Sequence, residues 1–119
     1  MPRTYVALDL ETTGLDAQRD AIIEVGAARF RRDELLDTYS TFVDPGRHIP
    51  HEITTLTGIT DHDVRGAPHL YDVLPDLVRF VGGEPVIGHS VNFDLRFLQQ
   101  HSQDFDNEYL DTFELAGVL

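Results

Sequence analysis

Tyr5-Val6-Ala7-Leu8-Asp9-Leu10-Glu11-Thr12-Thr13-Gly14 reads as a core strand that ends in acid, because an apolar run leads straight into Asp9 and Glu11. Side chains alternate faces along a strand, so the spacing predicts Asp9 and Glu11 on one face and Leu8 and Leu10 on the other. Two ionised carboxylates at the edge of a core repel each other and lose hydration. A hard divalent cation with oxygen ligands relieves both costs. The pair therefore reads as half of a magnesium site.

Outward from this strand, Ala21 to Phe30 and Leu35 to Val43 read as two more strands, joined as a hairpin across the polar Arg31-Arg32-Asp33-Glu34. Asp44 to Pro50 is a turn-rich connector whose prolines cannot continue a central strand. A short helix is expected from His51, closed by Gly58, and another from Thr60 as N-cap. Leu70, Val73, Leu74, Leu77, Val78 and Val81 form a helical stripe, with a kink or restart expected at Pro75. Pro85-Val86-Ile87-Gly88 reads as a short buried strand, and Val91 to His101 as a second amphipathic helix. The order is three strands, helices, a strand and a helix.

That second helix holds another misplaced acid. Asp94 lies on the apolar stripe of Val91, Leu95 and Leu98, facing the core. Alone it would be protonated or destabilising; with Asp9 and Glu11 it completes a cluster of three carboxylates suited to a metal.

The chain has 119 residues, 41% of them hydrophobic, enough for one core in a single domain. It has no cysteine, which excludes disulfides and cysteine-based zinc sites and fits a reducing compartment, the cytoplasm. The first apolar segment is too short for a signal peptide or a membrane span. The formal charge is −12, from 21 acids against 9 basic residues, all of them arginine. Such a surface repels polyanions, so broad binding to duplex nucleic acid is not expected without metal ions or attached domains.

Two of these stretches carry a family resemblance. Asp9-Leu10-Glu11-Thr12-Thr13-Gly14 and Gly88-His89-Ser90-Val91-Asn92-Phe93-Asp94 resemble the first two motifs of the DnaQ-like proofreading exonucleases. Ile53 to Thr60 is similar to a third family segment. The wording there and at Leu110 to Ala116 most resembles the exonuclease domain of PolC-type polymerases and the N-terminal nuclease domain of DinG-type helicases. The resemblance implies an α/β, ribonuclease-H-like mixed sheet flanked by helices. It further implies hydrolysis at DNA 3′ ends by two magnesium or manganese ions held by Asp9, Glu11 and Asp94. It places Thr12, Thr13, Leu15, Leu56, Thr57 and Phe93 around the terminal nucleotide, where apolar side chains can stack on a base without reading it.

The chain departs from the family in two respects. The family commonly has Asn where this chain has Ser90; the change removes a potential substrate contact and makes Ser90 an N-cap instead. The family's last motif, with a His as general base and a fourth Asp, lies beyond the segment resembling Asp111-Thr112. Residues 112–119 read as the first turns of an uncapped helix, so the C-terminal part of the domain is expected to be missing. No histidine replaces the base by spacing. His48, His51, His62, His69 and His101 read as surface or capping groups, and His89 as a structural neighbour of the site. Asp111 reads as a helix N-cap or as a supporting group and is left out of the site. Nothing ties Glu24 to the cluster, and Asp33, Glu34, Asp61, Asp63, Asp104, Asp106 and Glu108 read as solvated surface.

The expected function is thus a magnesium-dependent 3′-to-5′ exonuclease acting on single-stranded DNA 3′ ends, within a polymerase or helicase-related protein and away from membranes. Two alternatives stay open. One is a non-catalytic interaction or structural module, which the absent last motif favours and the three acids oppose. The other is an exoribonuclease, since no residue here decides between RNA and DNA.

Overall fold

The computed structural model describes residues 3–112. Its frame is a five-stranded sheet in the order β3-β2-β1-β4-β5. β1 (Thr4–Thr12), β2 (Ile22–Arg31) and β3 (Glu34–Phe42) form an antiparallel meander, and β4 (Val86–Gly88) and β5 (Tyr109–Asp111) extend the sheet in parallel on the other side of β1. Parallel pairing needs crossovers. The first carries α1 (His51–Thr57), α2 (Asp61–Val64) and α3 (Leu70–Val81), and the second carries α4 (Val91–Gln99).

Strand alternation sorts the two faces of the sheet. Val6, Leu8 and Leu10 of β1, with Val25 and Ala27 of β2, are buried in one core with Val73, Leu74, Leu77 and Val81 of α3 and Val91, Leu95 and Leu98 of α4. The alternate residues face the other side, where register pairs Ala7 with Ala28, Asp9 with Gly26, and Glu11 with Glu24. Asp9 and Glu11 therefore share a face, as their spacing predicts, and it is the face away from α3 and α4. A smaller apolar group, Ile23, Ile49, Ile59 and Val64, ties α1 and α2 to the sheet.

The helix boundaries follow local chemistry. Gly58 closes α1 in the left-handed conformation, with φ of 78°. Thr60 and Asp63 form a reciprocal capping box at α2, each accepting the other's backbone N–H. Asp61 accepts the Ile49 N–H at 2.8 Å and pairs with His48 at 2.9 Å. Asp61 and Asp63 are thus structural acids rather than merely solvated surface. These backbone hydrogen bonds hold both carboxyls below their ordinary range, with the imidazole and hydroxyl partners adding to the effect.

The helix does not restart at Pro75: α3 runs from Leu70 to Val81 as one element through it. The bond lost and the carbonyl crowded by the ring are both at Tyr71, in the exposed first turn, where the carbonyl can turn to water. Burial of Val73, Leu74, Leu77 and Val81 along the inner face holds the helix together.

Candidate active site

The site forms where β1 outruns β4. Pairing of β1 with β4 covers Val6 and Ala7, and the Val6 N–H bonds to the Pro85 carbonyl at 3.0 Å. Alternate N–H groups on a strand point to the same edge, so the Leu10 N–H points to the β4 side beyond the paired residues. Asp94, in the first turns of α4, stands at that edge, where the Leu10 N–H favours the charged form of its carboxyl. A core-facing acid on a helix thus serves as the missing strand partner.

Asp94 is only 4% exposed. Burial pushes its carboxyl up to about 8, helped by the charges of Asp9, Glu11 and Asp111 and opposed by the Leu10 hydrogen bond. Its Oδ2 is buried and has no hydrogen-bond partner. Glu11 is also raised, by burial first and then by Asp9 and Glu24. Asp9 is exposed at the rim, where with His89 it borders an open groove of about 630 Å³ floored by Ala7, Gly26 and Ala28. Asp9, Glu11 and Asp94 are therefore brought into one electrostatic neighbourhood.

The donors suit a hard cation: all are carboxylates, and the orphaned Oδ2 of Asp94 is a buried oxygen that only a donor or a cation satisfies. Among the described residues, no three acidic or imidazole groups stand tightly enough together to be a ready-made cation cage. Rotation of the Asp9 and Glu11 side chains is the freedom such a cage would use.

The residues expected at the terminal nucleotide differ in exposure and in what holds them. The Thr12 hydroxyl donates to the Gly14 carbonyl at 2.7 Å. Thr13 is buried; its hydroxyl donates to Asp20 and accepts the Ala21 N–H, so it ties the loop after β1 together from within. A Cβ at Gly14 would displace the Asp20 carboxylate from its hydrogen bonds with the Thr13 hydroxyl and the Asp16 N–H. Leu15 and Leu56 are 86% and 80% exposed. Thr57 is partly buried on α1 and donates to the Ile53 carbonyl. Phe93, beside Asp94, is half-buried with its ring tilted against Phe97 at 5.0 Å.

Two groups gain a place that the sequence reading did not give them. Asp111, at the end of β5, is 5% exposed and accepts the Ser90 N–H at 2.8 Å. Ser90 stands at the N-cap position of α4, yet its φ of 56° and ψ of 37° are left-handed, and its side chain makes no capping bond. The expected serine cap is thus replaced by a left-handed turn, a conformation that asparagine tolerates better than serine. Glu24, which nothing in the sequence ties to the cluster, pairs with Glu11 in register. The continuation past Thr112, expected as a helix, lies outside the described residues.

Residues 6–118 match the sequence model of the RNase_T exonucleases. The chain belongs to that family. This RNase_T domain is 41% identical to the PolC-type DNA polymerase III of Clostridium perfringens, over 97% of the chain and 8% of the polymerase. It is 37% identical to the DNA polymerase III subunit epsilon of Aquifex aeolicus, over 95% of the chain and 58% of that subunit. Its fold superposes on exonuclease X in complex with 5′ overhanging duplex DNA with a TM-score of 0.76 and 26% identity, covering 94% of this chain and 61% of the other. The RNase_T domain thus spans only part of each relative. The DnaQ-like kinship and the ribonuclease-H-like mixed sheet hold as the motifs implied. Among the described residues, no helix is long and apolar enough to cross a membrane.

Proposed function

We propose that this RNase_T domain removes nucleotides stepwise from the 3′ end of single-stranded DNA, with Asp9, Glu11 and Asp94 holding two magnesium ions, or manganese in their place. The observation that carries this reading is the buried, partnerless Oδ2 of Asp94 beside two further acids. Bound there, the ions would activate a water and offset the charge on the departing 3′ oxygen.

The chain's own groups supply the rest. Asp94 holds a proton near neutral pH and must release it to become a ligand, while the Leu10 N–H keeps its carboxyl oriented. The exposed Leu15 and Leu56, with Phe93, offer apolar surface to the terminal base. The charge of −12 keeps the rest of the surface from competing for the strand, so affinity is concentrated at the cations. The names of the PolC-type and epsilon relatives support a proofreading or repair role beside a DNA polymerase.

The test is digestion of a 5′-labelled single-stranded DNA with magnesium and then manganese, by this chain and by Asp9→Ala. A ladder shortening from the 3′ end that disappears in the variant is the expected result. Internal cleavage, or a ladder that persists in the variant, overturns the reading.

A further inference from the structure

Asp111 sits at an unusual place for a buried acid. β5 is an edge strand whose Tyr109 and Leu110 are exposed, whereas the Asp111 carboxyl is buried against the start of α4. Desolvating a carboxylate is costly unless a donor meets it, and the Ser90 N–H at 2.8 Å is one such donor.

Ser90 in turn is held in a conformation it does not favour. The left-handed region brings a Cβ too close to the following carbonyl, so a serine there is strained. Its own side chain does nothing to offset this, because it makes no capping bond. The hydrogen bond from the Ser90 N–H to the buried Asp111 oxygen offsets that cost and holds the turn. The carboxylate also lies at the N-terminal end of α4, where a negative charge is favoured.

The consequence reaches Asp94. The chain leaves β4 at Gly88, where a Cβ would stand 2.6 Å from the Leu8 carbonyl, so this segment already lies tight against β1. The turn at Ser90 then sets the direction in which α4 departs. One helical turn later, that direction delivers Asp94 to the Leu10 N–H.

We propose that Asp111 is a positioning residue of the acid site: its carboxylate fixes the left-handed turn at Ser90 and thereby sets where Asp94 stands against β1. This deepens the proposed function and rests on it for the role of the metal.

The experiment compares Asp111→Leu, which removes the acceptor, with Asp111→Asn, which keeps an acceptor oxygen, each alone and combined with Ser90→Gly. Two readouts are used: amide exchange of Ser90 and Val91 without metal, and Mn²⁺ affinity by titration. Asp111→Leu is expected to lose Ser90 protection and about tenfold or more in Mn²⁺ affinity, the scale seen when groups behind metal ligands are removed. Asp111→Asn is expected to retain most of both. Ser90→Gly, at ease in the left-handed region, is expected to restore most of the Mn²⁺ affinity lost in Asp111→Leu. An Asn variant as impaired as the Leu variant, or a Leu variant with Ser90 still protected, overturns the proposal. If Asp111→Leu fails to fold, the Asn variant decides: lost Ser90 protection in a folded protein sinks the idea. A wild-type chain that binds no Mn²⁺ refutes the metal reading alone, because Ser90 exchange still reports on the turn.

Discussion

Glu11 of β1 and Glu24 of β2 stand directly opposite each other across the antiparallel pair. Like charges in that relation are destabilising. Glu11, raised by burial first and by Asp9 and Glu24 after it, has the disturbed proton affinity this arrangement produces. Glu24→Gln is therefore expected to raise stability by about 0.5–1 kcal/mol near pH 7.5. The gain should fade near pH 4, where Glu11, whose proton affinity is raised, is neutral and no longer repels Glu24. Urea unfolding at the two pH values checks this, and an equal gain at both would refute the electrostatic cause.

A second prediction concerns pH itself. Asp94 binds its proton more tightly in the folded chain, at about 8 against an ordinary 3.8, and Glu11 shifts in the same direction. The folded state thus holds more protons than the unfolded state across that window, so metal-free stability falls as pH rises from about 4 to about 8. Asp61 and Asp63 have the opposite sign and act only below the ordinary carboxylate range. Asp94→Asn removes most of the slope and is expected to be about 1–3 kcal/mol more stable than the parent near pH 8, with little change near pH 4. Magnesium should stabilise the parent and leave Asp94→Asn almost unmoved. Melting curves in chelator and in magnesium decide. A stability rising with pH in chelator would contradict the assignment.

Asp94, Glu24 and Asp111 differ in how far the sequence alone reveals them. Asp94 was legible because it breaks an apolar stripe at helical spacing, and Asp9 and Glu11 because they break an apolar strand. The capping box of Thr60 and Asp63 was half legible: spacing marks the helix start, but not the carboxylate reaching back. Glu24 was not legible, because its partner depends on register. Register here is set by a tight turn centred on Arg32 and Asp33, without the Asn-Gly pattern that announces such turns, and by irregularities at Glu11/Thr12 and Arg29/Phe30. Asp111 and Ser90 are 21 residues apart and meet only through the parallel pairing of β4 with β5. A local rule makes Ser90 a helix cap and leaves Asp111 undecided between a cap and a supporting group.

The close passage of β4 against β1 gives a third prediction. Gly88→Ala places a Cβ 2.6 Å from the Leu8 carbonyl and 3.2 Å from the Val91 side chain. Backbone on one side and the start of α4 on the other leave little room to yield, so the cost is expected at about 2–3 kcal/mol. Gly83→Ala meets nothing within 4 Å and serves as the control. It should be neutral or slightly stabilising. Equal melting temperatures for the two variants would show that the Gly88 segment is looser than the structure has it.

Leu15 and Leu56 separate substrate binding from folding. Both side chains lie almost wholly in solvent, at 86% and 80% exposure, so changing them to Ser removes little buried surface. Stability should stay within about 0.5 kcal/mol of the parent. If they cradle the terminal base, they hold it equally before and during bond cleavage, because the base does not react. Such uniform binding affects KM rather than kcat. The double variant Leu15→Ser, Leu56→Ser is expected to raise KM for single-stranded DNA about tenfold, corresponding to about 1.4 kcal/mol, with kcat within twofold to threefold. Steady-state digestion of a short oligonucleotide provides both constants. An unchanged KM would remove these leucines from the nucleotide pocket, and a fall in kcat alone would move them from holding the base to arranging the acids.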